Sequence, residues 1–177
     1  MSLIKRVASL HIQAKSYDRI VYSPEPITSF RDVRQERGLS FQKPKGLWYA
    51  CGQDWKRFVQ SEMPGWAGGY NYKYLLDLNL NRMKVIRTER EMEIFHMGYS
   101  SKEVDHLIHH PNAIDWEAVA RDYDGIEICP YQSKFRMRLD WYYPWDVASG
   151  CVWGSGAFKG VTEIDNDIHD GEFINKW

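Results

Sequence analysis

The sequence lacks any apolar run of the roughly 18 to 20 residues that a membrane-spanning helix needs, and its hydrophobic residues stay in short segments. Its first residues, MSLIKRVASLHIQAK, also lack the central apolar stretch of a secretory signal peptide. We therefore expect a cytoplasmic protein that has no membrane partner.

Cysteine is scarce as well. The three cysteines, Cys51, Cys129 and Cys151, are far apart and odd in number, which excludes a disulfide framework and a zinc ribbon built from paired CxxC segments. Cys51 and Cys151 lie in apolar segments, where a cysteine is more often an inert core residue than a nucleophile. We expect reduced thiols.

Several common ligand-binding motifs are missing. No GxGxxG, GxxxxGKS/T or GxSxG segment occurs, which excludes a Rossmann dinucleotide domain, a P-loop and the nucleophile elbow of hydrolases. The histidines of HLIHHP (His106, His109 and His110) lack the glutamate of an HExxH zinc motif, and in segment 165–171 the glycine falls one place late for a calcium loop. We expect no metal site.

The composition is typical of a folded domain. Of the 177 residues 44% are apolar and 27% charged, with a formal net charge of −1, which excludes a disordered or low-complexity chain. A chain of this length suits one domain. We expect a single domain over residues 1–177, with its core at about 17–155 and a polar C-terminal tail over 156–177.

Charge is uneven along the chain. The first 50 residues carry nine lysines and arginines against four acidic residues, and the remainder is acidic. Such a basic region attracts phosphate or nucleic acid. Because these basic residues are scattered rather than clustered, a solvated surface is the simpler explanation of them.

Aromatic residues are abundant, at 15% of the chain with 8 tryptophans and 11 tyrosines. Tryptophan and tyrosine combine an apolar ring with a polar tip and are frequent on binding surfaces. The surplus indicates either a ligand groove or an aromatic-rich core.

Hydrophobic patterns and turn residues predict short strands interleaved with three or four short helices, an α+β class without the regular alternation of a doubly wound fold. Asp54, Thr88 and Asp115 are the expected helix caps, and Thr88 with Glu91 has the spacing of a capping box. The expected strands are 19–22, 46–51 and 126–129, a β-hairpin from 72–80 and 83–86, and one or two strands within 141–153.

The order of four segments resembles a known family. KPKGLWYACGQDW, YKYLLDLNLNRMKVIRTEREMEIF, IDWEAVARDYDGIEI and YYPWDVASGCVW follow one another in a way that resembles the ADP-ribosyltransferase-like fold of phage and bacterial proteins, over about residues 17–155. The resemblance implies split β-sheets with short flanking helices. It further implies NAD as a substrate and transfer of ADP-ribose to a macromolecule.

The resemblance also implies roles for individual residues. Trp48, Tyr49 and Ala50 occupy the strand that lies under the nicotinamide, and Arg19 stands for the arginine of the R-S-E type. The catalytic acid that fits best is Asp146 in PWDVASG, with Glu127 in DGIEI as the second choice. The chain departs from the family pattern at Ala50 and Cys51, where a Ser-Thr-Ser motif is missing.

Chemical reasoning adds further candidates. Cleavage of the bond between nicotinamide and ribose develops oxocarbenium character, which a carboxylate such as Asp146 can stabilise. Aromatic walls that stack on the nicotinamide and exclude water can come from Tyr22, Trp48, Tyr49 and Trp153, while Ser149 can hydrogen-bond its amide.

The acceptor is open from sequence, and both a nucleic acid and a protein fit. A rival hypothesis is a non-catalytic module that binds a nucleic acid strand or a protein partner in an aromatic groove. A third is an accessory protein whose aromatic surface only assembles with itself.

Overall fold

A computed structural model describes residues 4–6, 18–36, 42–101 and 113–169 of the chain. Strands and short helices are interleaved along these residues, so the predicted α+β class is confirmed. The histidines of segment 106–110 and the last two residues of segment 165–171 lie outside the described residues. None of the helices in the described ranges combines the length and the apolar composition that a membrane crossing requires.

Eight strands form one hydrogen-bonded sheet. They are β1 (Ile4–Arg6), β2 (Arg19–Ser23), β3 (Leu47–Cys51), β4 (Tyr72–Leu78), β5 (Met83–Ile86), β6 (Gly125–Ile128), β7 (Ser149–Val152) and β8 (Phe158–Ile164). Across the sheet their order is β1, β8, β4, β2, β3, β7, β6, β5. The pairs β1 with β8 and β5 with β6 are parallel, and the other neighbours are antiparallel.

In the described ranges three α-helices accompany the sheet: α1 (Asp54–Glu62), α2 (Glu89–Tyr99) and α3 (Trp116–Asp122). The predicted capping box is confirmed, because the Thr88 hydroxyl accepts from the Glu91 amide and the Glu91 carboxylate accepts from the Thr88 amide. Asp115 caps α3 as predicted. Asp54 is instead the first helical residue of α1, and Gln53 precedes it without a capping hydrogen bond from its side chain.

The sheet consists of two halves that meet in the middle. Strands β1, β8, β4 and β2 form one half and β3, β7, β6 and β5 the other. The halves are joined through only two register pairs, Arg19 with Cys51 and Ile20 with Ala50. The resemblance implies split β-sheets, whereas the described strands form one continuous sheet with a narrow join between its halves.

The sheet curls on itself. The five residue steps from Leu78 to Met83 span at most about 18 Å, whereas β4 and β5 are five strand spacings apart, or about 24 Å in a flat sheet. The curl brings both ends together around one apolar cluster that contains Val21, Tyr49, Leu78, Met83 and Val152. We call this inner side the concave face and the opposite side the convex face.

The convex face of the β6 and β7 half carries the larger core. Ile126 and Cys151 on the sheet pack with Phe95 of α2 and Trp116 of α3. The rings of Trp141, Tyr142 and Trp145, from the turns before β7, are fully buried in the same cluster. Much of the aromatic surplus is therefore core.

The predicted β-hairpin is wrong. β4 pairs with β2 and β8, whereas β5 pairs with β6 at the far edge of the sheet. The residues between the two strands form a short 3-10 helix, Leu80–Arg82, rather than a tight hairpin turn. Two apolar runs with a polar connection look the same in sequence whether they pair with each other or with other strands.

The predicted polar tail begins too early. Residues Phe158–Ile164 form β8, which pairs with β4 along most of its length, and Ile168 beyond it is buried. Val161 is the one fully buried residue of β8, so the strand lacks the regular alternation of apolar and polar residues that would predict it from sequence. The core thus extends beyond residue 155.

Gly150 allows the close packing at the centre of the concave face. A Cβ atom at this position would lie 2.3 Å from the Tyr49 hydroxyl oxygen and 2.7 Å from the Ile126 carbonyl oxygen. We expect Gly150→Ala to lower the free energy of unfolding by about 1–3 kcal/mol, the usual cost of overpacking, in urea denaturation. The control is Gly68→Ala, where a Cβ atom meets nothing within 4 Å. Equal midpoints for both variants would contradict this packing.

Candidate functional site

A cavity of about 250 Å³ opens on the convex face, close to the join of the two half-sheets. Four parts of the chain enclose it: strands β2 and β3, the segment with Lys43 that precedes β3, the region from α1 to Tyr70, and the turn that leads into the start of β7. Its lining residues are Ile20, Tyr22, Lys43, Trp48, Tyr49, Ala50, Trp55, Tyr70, Asp146, Val147 and Ser149. The structure therefore brings most of the sequence-predicted site residues to one place.

Aromatic rings form much of the cavity wall. The rings of Tyr22 and Tyr70 meet edge to face at 6.1 Å between centroids, and Trp55 meets Tyr70 in the same way at 6.3 Å. The Trp48 ring packs edge to face against the Trp145 ring, with 4.8 Å between their centroids. These contacts fix the orientation of the rings before any ligand arrives.

Asp146 supplies a carboxylate to this aromatic wall. Its side chain is 28% exposed, and Arg136 Nη2 lies 3.2 Å from its Oδ1. The Ser149 hydroxyl donates to the Val147 carbonyl at 2.9 Å, so its lone pairs stay available to accept a hydrogen bond from a ligand. One carboxylate and one acceptor hydroxyl thus border the same apolar space.

A group of charged side chains surrounds the hydroxyl of Tyr22. The Tyr22 hydroxyl donates to Asp167 at 3.2 Å, and the same carboxylate binds Lys73 at 2.6 Å and Lys56 at 3.1 Å. Burial raises the pKa of Tyr22, and the Asp167 charge raises it further. Tyr22 is therefore a neutral, firmly held wall of the cavity.

The alternation of side chains along the strands places Arg19, Tyr49 and Glu127 on the face of the sheet opposite the cavity. Successive residues of a strand point to opposite faces. Tyr49 and Glu127 are both paired with Gly150 and point to the concave face. Tyr49 borders the cavity where its strand passes, but its hydroxyl reaches the other way, so its ring does not supply a stacking wall.

On the concave face Glu127 is fully engaged. Arg19 binds it with two nitrogens, at 2.5 Å from Nε and 3.0 Å from Nη2, and the Tyr49 hydroxyl donates to it at 2.9 Å. Glu127 is 2% exposed and the Arg19 side chain 18%. Burial, together with the Glu127 charge, raises the pKa of Tyr49. This cluster has the features of a buried structural ion pair.

Trp153 lies away from the cavity. Its indole nitrogen donates to the Tyr123 carbonyl at 2.8 Å and its ring meets Trp116 at 6.5 Å between centroids. Trp153 follows β7 on the side of α3, so its predicted role as a nicotinamide wall does not fit its position. The proximity of Trp153 to Asp146 in the sequence does not become proximity in space, because β7 lies between them.

Five lining residues are not among the sequence-predicted site residues: Ile20, Lys43, Trp55, Tyr70 and Val147. The sequence pattern places Trp55 on the apolar face of the helix that follows Asp54, and Lys43 is one of many scattered basic residues. The sequence does carry a signal for Trp55. Its predicted helix directly follows a predicted strand, so the first residues of that helix must lie beside the end of the strand. No sequence pattern identified Lys43 or Tyr70.

The remaining candidate groups are the cysteine thiols and the possible metal ligands. The three cysteines are free and buried, as predicted, and burial raises the pKa of Cys151 well above its usual value. Within the described part of the chain, no group of three or more histidine, cysteine or acidic side chains is arranged to hold a metal ion.

Comparison of the chain with protein-family models, with curated proteins and with solved structures finds no match.

Proposed function

We propose that this protein is an ADP-ribosyltransferase-like enzyme that uses NAD as its substrate and transfers ADP-ribose to a macromolecule. The observation that carries the proposal is the cavity on the convex face, where aromatic walls surround the Asp146 carboxylate. The resemblance of the sequence to that family supports the same function.

The cavity suits the nicotinamide end of NAD. The nicotinamide ring of NAD is a flat cation, and the faces of tryptophan and tyrosine attract cations. Trp48, Trp55 and Tyr22 line the cavity, and Lys43 Nζ, 4.6 Å from the centroid of the Trp48 ring, marks a position where a cation lies against this wall. A volume of about 250 Å³ is below the range of about 300–1,000 Å³ typical of sites that enclose a whole drug-sized ligand. The adenylate half of NAD would therefore lie outside the cavity.

Asp146 is the acid in this proposal. As the bond between C1′ of the ribose and the ring nitrogen breaks, positive charge develops on the sugar and the nicotinamide leaves as a neutral molecule. A carboxylate beside the ribose stabilises that charge more strongly where water is excluded. The Ser149 hydroxyl can accept a hydrogen bond from the carboxamide and orient the ring.

Glu127 is the less suitable acid. It points to the face opposite the cavity, and its oxygens already accept from Arg19 and Tyr49. A carboxylate with these partners would have to lose a bidentate arginine before it contacted a sugar. We therefore assign Asp146 to the reaction and Glu127 to the stability of the fold.

The acceptor is either a nucleic acid or a protein. Arg31 and Arg34, in the segment that follows β2, are exposed and are available to phosphates. Affinity for a nucleic acid acceptor should fall steeply as salt rises, because binding releases counterions, whereas affinity for a protein acceptor should change less.

Calorimetric titration with NAD and with NADH tests the binding site. The reduced ring of NADH is neutral, so we expect NAD to bind about tenfold more tightly, since cation–π contacts contribute about 1–2 kcal/mol in desolvated sites. Trp48→Ala should remove most of this difference. Met97→Ala is the control, because Met97 is exposed on α2 and does not line the cavity. Equal affinity for both dinucleotides, or no binding of either, would refute the proposal and favour a non-catalytic binding module.

A further inference from the structure

Lys43 lies in the cavity on a segment that is held in place from both sides. The indole nitrogen of Trp116 donates to the carbonyl of Gln42 at 2.9 Å, and that of Trp48 donates to the carbonyl of Pro44 at 3.3 Å. Gln42 and Pro44 flank Lys43 directly. Two buried or half-buried tryptophans thus fix the backbone from which the Lys43 side chain enters the cavity.

The Lys43 amine is placed beside the proposed reaction centre. Its Nζ lies 4.6 Å from the centroid of the Trp48 ring, and it lines the same space as Asp146. Burial lowers the pKa of Lys43, and the Asp146 charge opposes this shift. More of this amine is therefore in its neutral, nucleophilic form than is usual for a lysine.

Lys45 provides the contrast within the same segment. Its side chain is 48% exposed, and its Nζ pairs with the Glu36 carboxylate at 2.9 Å. Lys45 is not among the residues that line the cavity. The chain therefore holds two lysines two positions apart, of which one faces the proposed substrate and one faces solvent.

We propose that Lys43 is a self-modification site, which accepts one ADP-ribose from NAD; this inference rests on the proposed function. The lone pair of Lys43 Nζ forms a bond to C1′ of the ribose while the bond from C1′ to the nicotinamide nitrogen breaks. The electron pair of that bond stays on the nicotinamide, which leaves neutral. Nζ then releases one proton to the Asp146 carboxylate or to water.

The modification would limit the enzyme itself. An ADP-ribose on Lys43 fills the cavity that the next NAD must enter, so release of nicotinamide should slow as the adduct accumulates. Without an acceptor, the adduct should approach one per chain. Lys43→Met removes the amine but keeps an unbranched side chain of similar length, so no nucleophilic nitrogen remains at position 43.

The test is incubation of the whole protein with NAD, followed by intact-mass measurement and peptide mapping, with nicotinamide release measured in the same samples. We expect one ADP-ribose on Lys43 in the wild type and in Lys45→Met, and none at position 43 in Lys43→Met. The adduct should survive neutral hydroxylamine, which cleaves an ester on Asp146. Incubation with free ADP-ribose is the control for glycation.

The outcomes separate this inference from the proposed function. Release of nicotinamide without an adduct on Lys43 would overturn the inference and leave the proposed function intact. An adduct that also forms from free ADP-ribose, or one that hydroxylamine removes, would overturn it in the same way. Absence of both release and adduct would refute the proposed function, and the inference with it.

Discussion

Glu127→Ala is expected to lower the free energy of unfolding by about 3–5 kcal/mol, the cost of removing one partner of a buried ion pair. Glu127 is 2% exposed and accepts from Arg19 twice and from Tyr49 once. Its removal leaves a largely buried guanidinium and a buried hydroxyl without their acceptor. Neither group reaches water readily from the concave face, so the desolvation of both is uncompensated.

Urea denaturation of the wild type, Glu127→Ala and Glu93→Ala measures this effect. Glu93 lies on α2 and is exposed, so its removal should change the free energy of unfolding by less than about 0.5 kcal/mol. Glu127→Gln should fall between the two, since the amide oxygen still accepts but the opposite charge for Arg19 is lost. If Glu127→Ala is as stable as Glu93→Ala, the ion pair of Arg19 and Glu127 does not stabilise the fold.

Asp146→Ala is expected to lower the rate of nicotinamide release by about 100- to 1,000-fold, the range seen when one electrostatic contact to a transition state is removed. The carboxylate acts on charge that develops only as the bond breaks, so NAD affinity should change by only a few fold. Stability should change little, because the pair of Asp146 with Arg136 is partly exposed.

Asp77→Ala is the matched control for Asp146→Ala. Asp77 lies on β4 with an exposed side chain, 3.9 Å from Lys159, and does not line the cavity. This variant should release nicotinamide at the wild-type rate. If Asp146→Ala also keeps that rate, Asp146 is not the acid; if it loses NAD binding altogether, Asp146 acts in binding rather than in the bond-breaking step.

Local patterns in the sequence predicted local structure well. The capping box of Thr88 and Glu91 and the cap at Asp115 depend on residues within one helical turn, and both are present. The glycine-bounded apolar run at 46–51 became a buried strand for the same reason. Each of these signals is contained in a few neighbouring residues.

Features that depend on distant pairing could not be predicted. No local sequence pattern shows whether β4 pairs with β8 or with β5. The prediction of a β-hairpin from β4 and β5 was wrong for this reason. The side of the sheet on which Glu127 lies follows from its register with Gly150, which in turn depends on how β6 meets β7. Lys43 reaches the cavity only because Trp116 and Trp48, remote from each other in the sequence, hold its neighbours.

The central claim is that NAD binds on the convex face, with its nicotinamide ribose beside Asp146. A crystal structure of Asp146→Asn with NAD tests this most directly, because the amide keeps the shape of the side chain while slowing cleavage. We predict the nicotinamide ring against Trp48 and a ribose hydroxyl within hydrogen-bonding distance of residue 146. A nicotinamide bound on the concave face beside Glu127, or an empty cavity at saturating NAD, would contradict the account.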